Sequence, residues 1–344
     1  MTMFEKLKSK KFLVIGIVVL GFTIFGVVFF IVSQKEKQTK IPEAKINAPK
    51  ISSHIRTYEG QIKINLNKSQ YKIPKEMLVY RLNTNPLDIN EATKIANNLS
   101  FVEEPLLAND ILKGRVLIWD EDVGFLRIIP TLRIIDYQSN SVSTTTIFQN
   151  FASENELVTT AKEFLVQKNL YSTQNLSFKK AVYINPGYEG FSITNKDSAS
   201  LVELSFREKI DNYDIVSDDE SIASIRVTLN RNSEVYSLYV DGINQSIPTI
   251  FYPIKNFDEF KASVGEARLQ IISEGKIGLV KLSNIKIDQI IVNNIDIAYL
   301  QESSGTQTTL QPILVLESSI DFQGQNGVPA TLFMPAISQE FLNN

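Results

Sequence analysis

Twenty-one consecutive residues, Phe12 to Val32, carry no charge and one hydroxyl, that of Thr23. A helix rising about 1.5 Å per residue over such a run is long enough to cross a hydrocarbon layer roughly 30 Å thick. The run exceeds the apolar region of a cleaved secretory signal, about 7 to 15 residues, and its exit Phe29-Phe30-Ile31-Val32-Ser33-Gln34 lacks a small-residue cleavage pattern. It predicts an uncleaved anchor, with the lipid bilayer as a partner. Gly16, Gly21 and Gly26 recur every five residues, which does not match a four-residue helix-pairing motif. Lys6, Lys8, Lys10 and Lys11 precede the run and five lysines follow it by residue 50. Their density beside the helix places the N-terminus in the cytoplasm and the remainder outside it, a single-pass arrangement in a bacterial cytoplasmic membrane.

The 344-residue chain is 43% hydrophobic and shows no second run of this kind, so the part after residue 32 has the material for a sizeable core. A formal net charge of −3 without a basic stripe argues against nucleic-acid binding. The absence of cysteine excludes disulfides, thiol nucleophiles and thiolate metal sites. Residues 1–11 read as a cytoplasmic tail, 12–32 as the anchor, and 33–70 as a stalk, charged at Lys35-Glu36-Lys37 and interrupted by Pro42 and Pro49, although Gln61-Ile62-Lys63-Ile64-Asn65-Leu66 alternates well enough to be a first strand. Three modules follow over 71–150, 151–248 and 249–344, the last of them also readable as the completion of the second.

Each module opens on a helix with a capping-box spacing: Asp88 with Glu91, Ser153 with Glu156, and Asn256 with Glu259. The apolar stripes that follow include Ala92, Ala96 and Leu99, then Leu157, Ala161 and Leu165, then Phe257, Phe260, Val264 and Ile271. Strands are expected over 115–119, 124–129, 131–137, 178–184, 201–210, 224–230, 234–241, 285–292, 295–301, 310–317 and 328–335. This pattern of one helix followed by several strands predicts an α+β fold, an N-terminal transmembrane helix followed by helix-on-antiparallel-sheet modules.

The segments Leu157-Val158-Thr159-Thr160-Ala161-Lys162-Glu163-Phe164-Leu165, Ile210-Asp211-Asn212-Tyr213-Asp214-Ile215 and Ile225-Arg226-Val227-Thr228-Leu229-Asn230 resemble a PepSY-type or YycI-type module. The closing stretches Ile297-Ala298-Tyr299-Leu300, Leu310 to Leu316 and Leu332-Phe333-Met334-Pro335-Ala336-Ile337 are similar to those of the YycH and YycI regulatory proteins. The resemblance spans roughly residues 77 to 338. It implies a single-anchor, extracytoplasmic regulator that modulates a cell-wall sensor kinase by contact, and it supplies no catalytic residues. Asn232 stands at a hairpin position that this resemblance associates with glycine, and it is expected to tolerate a left-handed turn.

The residues offer little chemistry. His54 is the lone histidine, so no zinc set and no Ser-His-Asp arrangement can be built in the folded part, and no metal, cofactor or catalytic residue is assigned. The acidic runs Asp211, Asp214, Asp218, Asp219, Glu220 and Asp120-Glu121-Asp122 read as solvated turns rather than a calcium loop or a catalytic pair. The loop Pro186-Gly187-Tyr188-Glu189-Gly190-Phe191 places Tyr188 and Phe191 where they could anchor a partner. The leading expectation is an interaction or regulatory protein acting on an envelope or membrane partner. A structural envelope scaffold and a carboxylate-type glycan-acting enzyme are the alternatives.

Overall fold

In antiparallel pairing, residues directly opposite each other share a face, so strands that alternate apolar and polar residues sort themselves into one dry and one wet surface. The computed structural model describes residues 45–51, 61–82, 85–111, 113–144, 150–172, 175–187, 190–217, 224–241, 246–272, 287–302, 307–322 and 324–343. Its larger antiparallel sheet contains β4 (Leu106–Asp110), β5 (Gly114–Glu121), β6 (Gly124–Ile129), β7 (Ile134–Ser139), β8 (Leu176–Gly187), β9 (Gly190–Ile193), β10 (Leu201–Ile210), β12 (Ile225–Asn230) and β13 (Val235–Asp241). Their spatial order is β4-β5-β6-β7-β13-β12-β10-β8-β9.

The dry face of this sheet is covered by α1 (Ile89–Asn98) and α2 (Glu154–Gln167). Ala92, Ala96, Leu157, Ala161 and Leu165 share a core with Leu117, Trp119, Leu126, Tyr137, Leu204, Phe206, Val227 and Leu238. Both helices start as their sequences require. Asp88 accepts from the Glu91 amide at 2.7 Å, and the Glu156 carboxylate accepts from the Ser153 amide at 2.9 Å, each within a complete capping box.

A second, mixed sheet is centred on β16 (Ile287–Gln301), β17 (Thr309–Phe322) and β18 (Gln325–Pro335), with β15 (Arg268–Ile272) beyond β18. On the other side of β16 lie two parallel partners, β2 (Gln61–Ile64) and β11 (Tyr213–Ser217). β3 (Glu76–Leu82) pairs with β14 (Ser246–Pro253) and with the first residues of β17. A short parallel pair joins β1 (Ile46–Asn47) to β19 (Leu342–Asn343). The third capped helix, α3 (Phe257–Ser263), buries Phe260 in this second core.

One hairpin connects the two sheets. Asp211 and Asn212 both take left-handed backbone angles, φ 49° and 69°, and let β10 turn into β11, which leaves to pair with β16. Tyr80 donates its hydroxyl to Asp211, and Tyr299 donates to the Leu78 carbonyl at 2.8 Å. The Tyr80 and Tyr299 rings meet edge to face at 5.4 Å, so a tyrosine pair holds the turn against β3 and β16.

These facts correct several expectations. The chain is not a series of α+β helix-on-antiparallel-sheet modules. Strands dominate, the three helices among the described residues are short, and the sheets run across the expected module boundaries, since β7 pairs with β13 and β3 with β14. The single-pass anchor and the location deduced from it are corrected as well: among the described residues no helix is long and apolar enough to cross a membrane. The run itself, with Phe12, Gly16, Gly21, Gly26 and Val32, lies outside the described residues. Residues 61–64 form the strand that their alternation suggests, parallel to β16, and residues 46–47, within the expected stalk, pair with β19. The third helix stops at Ser263, and Arg268–Ile272 pairs with β18 as a strand, so Ile271 does not belong to a helical stripe. The left-handed residue of the β12–β13 turn is Ser233, φ 62°, rather than Asn232.

Candidate functional site

The wet face of the nine-stranded sheet collects the side chains that the dry face rejects. Arg127, Asp136, Tyr239, Arg226, Ser205 and Lys180 each stand directly opposite the next on β6, β7, β13, β12, β10 and β8. At about 4.8 Å between strands, this row runs roughly 24 Å across the sheet. Arg127 donates through Nη2 to Asp136 Oδ2 at 2.6 Å, with both side chains partly open to solvent. Arg226 lies 3.7 Å from the Glu203 carboxylate and 4.6 Å above the Tyr239 ring. Burial raises the Tyr239 hydroxyl above its ordinary value, and the nearby Asp241 charge adds to that, so the ring stays neutral at physiological pH. Asp241 is itself raised by burial. The Nε atoms of Arg127 and Arg226 are buried and have no acceptor among the described residues.

A second row lies beside the first: Phe125, Gln138, Ser237, Thr228, Glu203 and Val182, again opposite one another in register. The register shift between Thr228 and Leu229 leaves Tyr236 as an extra residue on β13. Tyr236 accepts from Gln138 Nε2 at 2.9 Å, and Phe191 of β9 meets its ring edge-on at 6.3 Å. Phe191 is 54% exposed while it makes this contact, so the β8–β9 hairpin reaches the rim of the wet face and keeps an aromatic surface open there. Tyr188, the other aromatic singled out in this loop, lies outside the described residues.

Toward the β8 and β10 end the face carries a cluster of paired charges. Asp214 sits 3.5 Å from Lys179 and 3.8 Å from both Arg207 and Lys209, and it accepts from Ser177 Oγ at 3.1 Å. Three cations, Lys179, Arg207 and Lys209, thus gather around the Asp214 carboxylate. At the opposite end, Val116, Ile129 and Ile134 form a small apolar cluster with Ile118 and Leu132 packed against it. The face therefore grades from an apolar cluster to paired charges.

The acidic runs have separate structural roles. Asp211 caps Tyr80, Asp214 belongs to the basic cluster, and Glu121 accepts from the amides of Val102 and Glu103 at 3.0 Å. Asp218, Asp219, Glu220 and His54 lie outside the described residues. Among the described residues no group of three His, Cys, Asp or Glu is placed to hold a metal ion. A cleft of about 200 Å³ opens on the dry face beside α1, lined by Pro86, Leu87, Ile89, Leu117, Pro130 and Thr131, with Arg115 its charged residue. In comparisons with known proteins, no family matches the chain and no curated protein matches it.

The row from Arg127 to Lys180 escaped sequence reading because its members come from six neighbouring strands that are not consecutive in sequence. Alternation within each strand was the available signal. It marks Arg226 and Thr228 as sharing a face against Val227 and Leu229, but it does not say which strand lies alongside.

Proposed function

We propose that this chain works by protein contact, as an interaction or regulatory module whose contact surface is the wet face of the nine-stranded sheet. The observation that carries the reading is the aromatic pair of exposed Phe191 and half-buried Tyr236 beside a row of half-open arginines and carboxylates, opposite a face buried under two helices. Aromatic residues and arginine supply most contact energy at interfaces, and paired charges of both signs fix register and partner choice. The resemblance to YycH and YycI supports regulation of another protein as the purpose of the contact.

The test is co-purification from the native cell with tagged full-length chain. Tyr236→Ala and Arg226→Glu should each remove the same partner, while Val166→Glu on the outer side of α2 retains it. Loss of that partner with Val166→Glu, or its retention with both face variants, contradicts the reading.

A further inference from the structure

The chain contains a single Asn-Gly step, Asn326-Gly327, at the start of β18. Ile320 pairs with Val328 and Phe322 with Gln325, so Asp321 alone stands opposite two residues, Asn326 and Gly327, as a bulge in the ladder. Gly327 takes a left-handed φ of 68°, and its amide turns from the ladder to donate to Asp321 Oδ1 at 2.7 Å. Asn326 and Gly327 are exposed, and the Asn326 side chain makes no hydrogen bond among the described residues. Gly327 carries no Cβ, and one built there would meet nothing within 4 Å. The Asn326 carboxamide is therefore free to swing onto the Gly327 nitrogen. Asn140-Ser141 is a contrast within the same chain. There the Ser141 amide donates to the neutral Ser139 hydroxyl at 3.2 Å, and Asn140 Nδ2 is held by the Glu121 carbonyl at 3.4 Å.

A general base must lie about 2.6–3.2 Å from the atom whose proton it takes, and Asp321 meets that requirement at Gly327. Nucleophile and electrophile sit on adjacent residues, so the reaction needs no encounter. We propose that Asn326-Gly327 is a self-converting site with Asp321 as its general base. As the Gly327 nitrogen bonds to Asn326 Cγ, its proton passes to the Asp321 carboxylate. The Cγ–Nδ2 bond then breaks, Nδ2 takes that proton, and ammonia leaves a five-membered succinimide spanning the two residues. Water opens the ring at either carbonyl, giving aspartate at 326 or an isoaspartate whose main chain runs through Cγ. One water is consumed, one ammonia is released, and Asp321 is restored as a carboxylate. The product places a second carboxylate in the bulge beside Asp321, where like charges oppose the pairing of β17 with β18.

The test follows conversion of amide to acid in the purified full-length chain at neutral pH, by mass spectrometry of the peptides that contain positions 326 and 140. Asn326 should convert at least tenfold faster than Asn140. It should also convert about tenfold faster in the folded chain than in the same chain unfolded in guanidinium chloride, where the sequence is unchanged but Asp321 is no longer held at Gly327. Asp321→Asn keeps an oxygen that can accept from Gly327 and removes the base, so the folded rate should fall at least fivefold. A folded rate at or below the unfolded one, or an Asp321→Asn chain that converts as fast as the natural chain, would overturn the proposal, since Asp321 would then only clamp the amide.

Discussion

Gly124→Ala should unfold this protein far more readily than Gly190→Ala, although both glycines sit at sheet hairpins with positive φ, 152° and 113°. A methyl group on Gly190 meets nothing within 4 Å. Its cost is the left-sided backbone alone, about 1–2 kcal/mol, reduced by the roughly 0.4–1 kcal/mol that alanine gains by stiffening the unfolded chain. On Gly124 the same methyl lies 2.2 Å from the Gln138 carbonyl oxygen, with Ser139 Cα at 3.1 Å. Both are backbone atoms of β7, held by the pairing of Gly124 with Ser139 and Phe125 with Gln138. Neither can rotate away, so relief requires separating β6 from β7 at the turn. That adds the loss of one or two ladder hydrogen bonds at about 1 kcal/mol each. The net cost is about 2 kcal/mol for Gly124→Ala and about 1 kcal/mol or less for Gly190→Ala. Trp119 is the only tryptophan, is buried on β5, and donates to the Glu103 carbonyl at 3.0 Å. Its fluorescence during urea unfolding therefore reports on this sheet. Stabilities for the two variants that agree within 0.5 kcal/mol would refute the register of β6 against β7, and with it the row that begins at Arg127.

Ser153→Ala removes the cap of α2 and should lower stability by about 1 kcal/mol in the same fluorescence assay. Tyr80→Phe, which loses the bond to Asp211, should cost about 1–2 kcal/mol at neutral pH. The Tyr80 and Tyr299 hydroxyls are both raised, chiefly by burial, so above pH 10 the unfolded chain loses these protons while the folded chain keeps them. Their contribution is whole below pH 10 and is lost as pH climbs toward the folded values. The alkaline fall in stability should be shallower in Tyr80→Phe than in the natural chain. Asp241 is raised by burial, so its charge opposes folding at pH 7, and that cost shrinks as acid protonates the folded form before the unfolded one. Asp241→Asn should accordingly raise the thermal midpoint at pH 7, with the gain fading toward pH 4.

What the sequence made legible was local. The three capping boxes fixed the helix starts because the partners lie three residues apart, and β6 and β10 were bounded by turn residues at both ends. β14 was hidden by Pro248 and Pro253, which a sheet accepts there because the pairing with β3 shifts register between Pro248 and Ile250. Asn293-Asn294 suggested a break between two strands, yet β16 passes through it with a register shift after Val292. β4 lacks apolar and polar alternation because both of its faces are open. Of the candidate site, Phe191 could be named from its loop. Its partner Tyr236 could not, since the contact depends on a bulge in a strand forty-five residues later in the chain.

The central claim is that the wet face, and not the helix-covered side, meets the partner. Photo-crosslinking residues placed singly at positions 191, 236 and 180 of the full-length chain in cells test it most directly, with position 166 on α2 as the comparison. One shared adduct from the three face positions and none from position 166 is the predicted result. The same adduct from position 166, or no adduct from any of the three face positions, would contradict it.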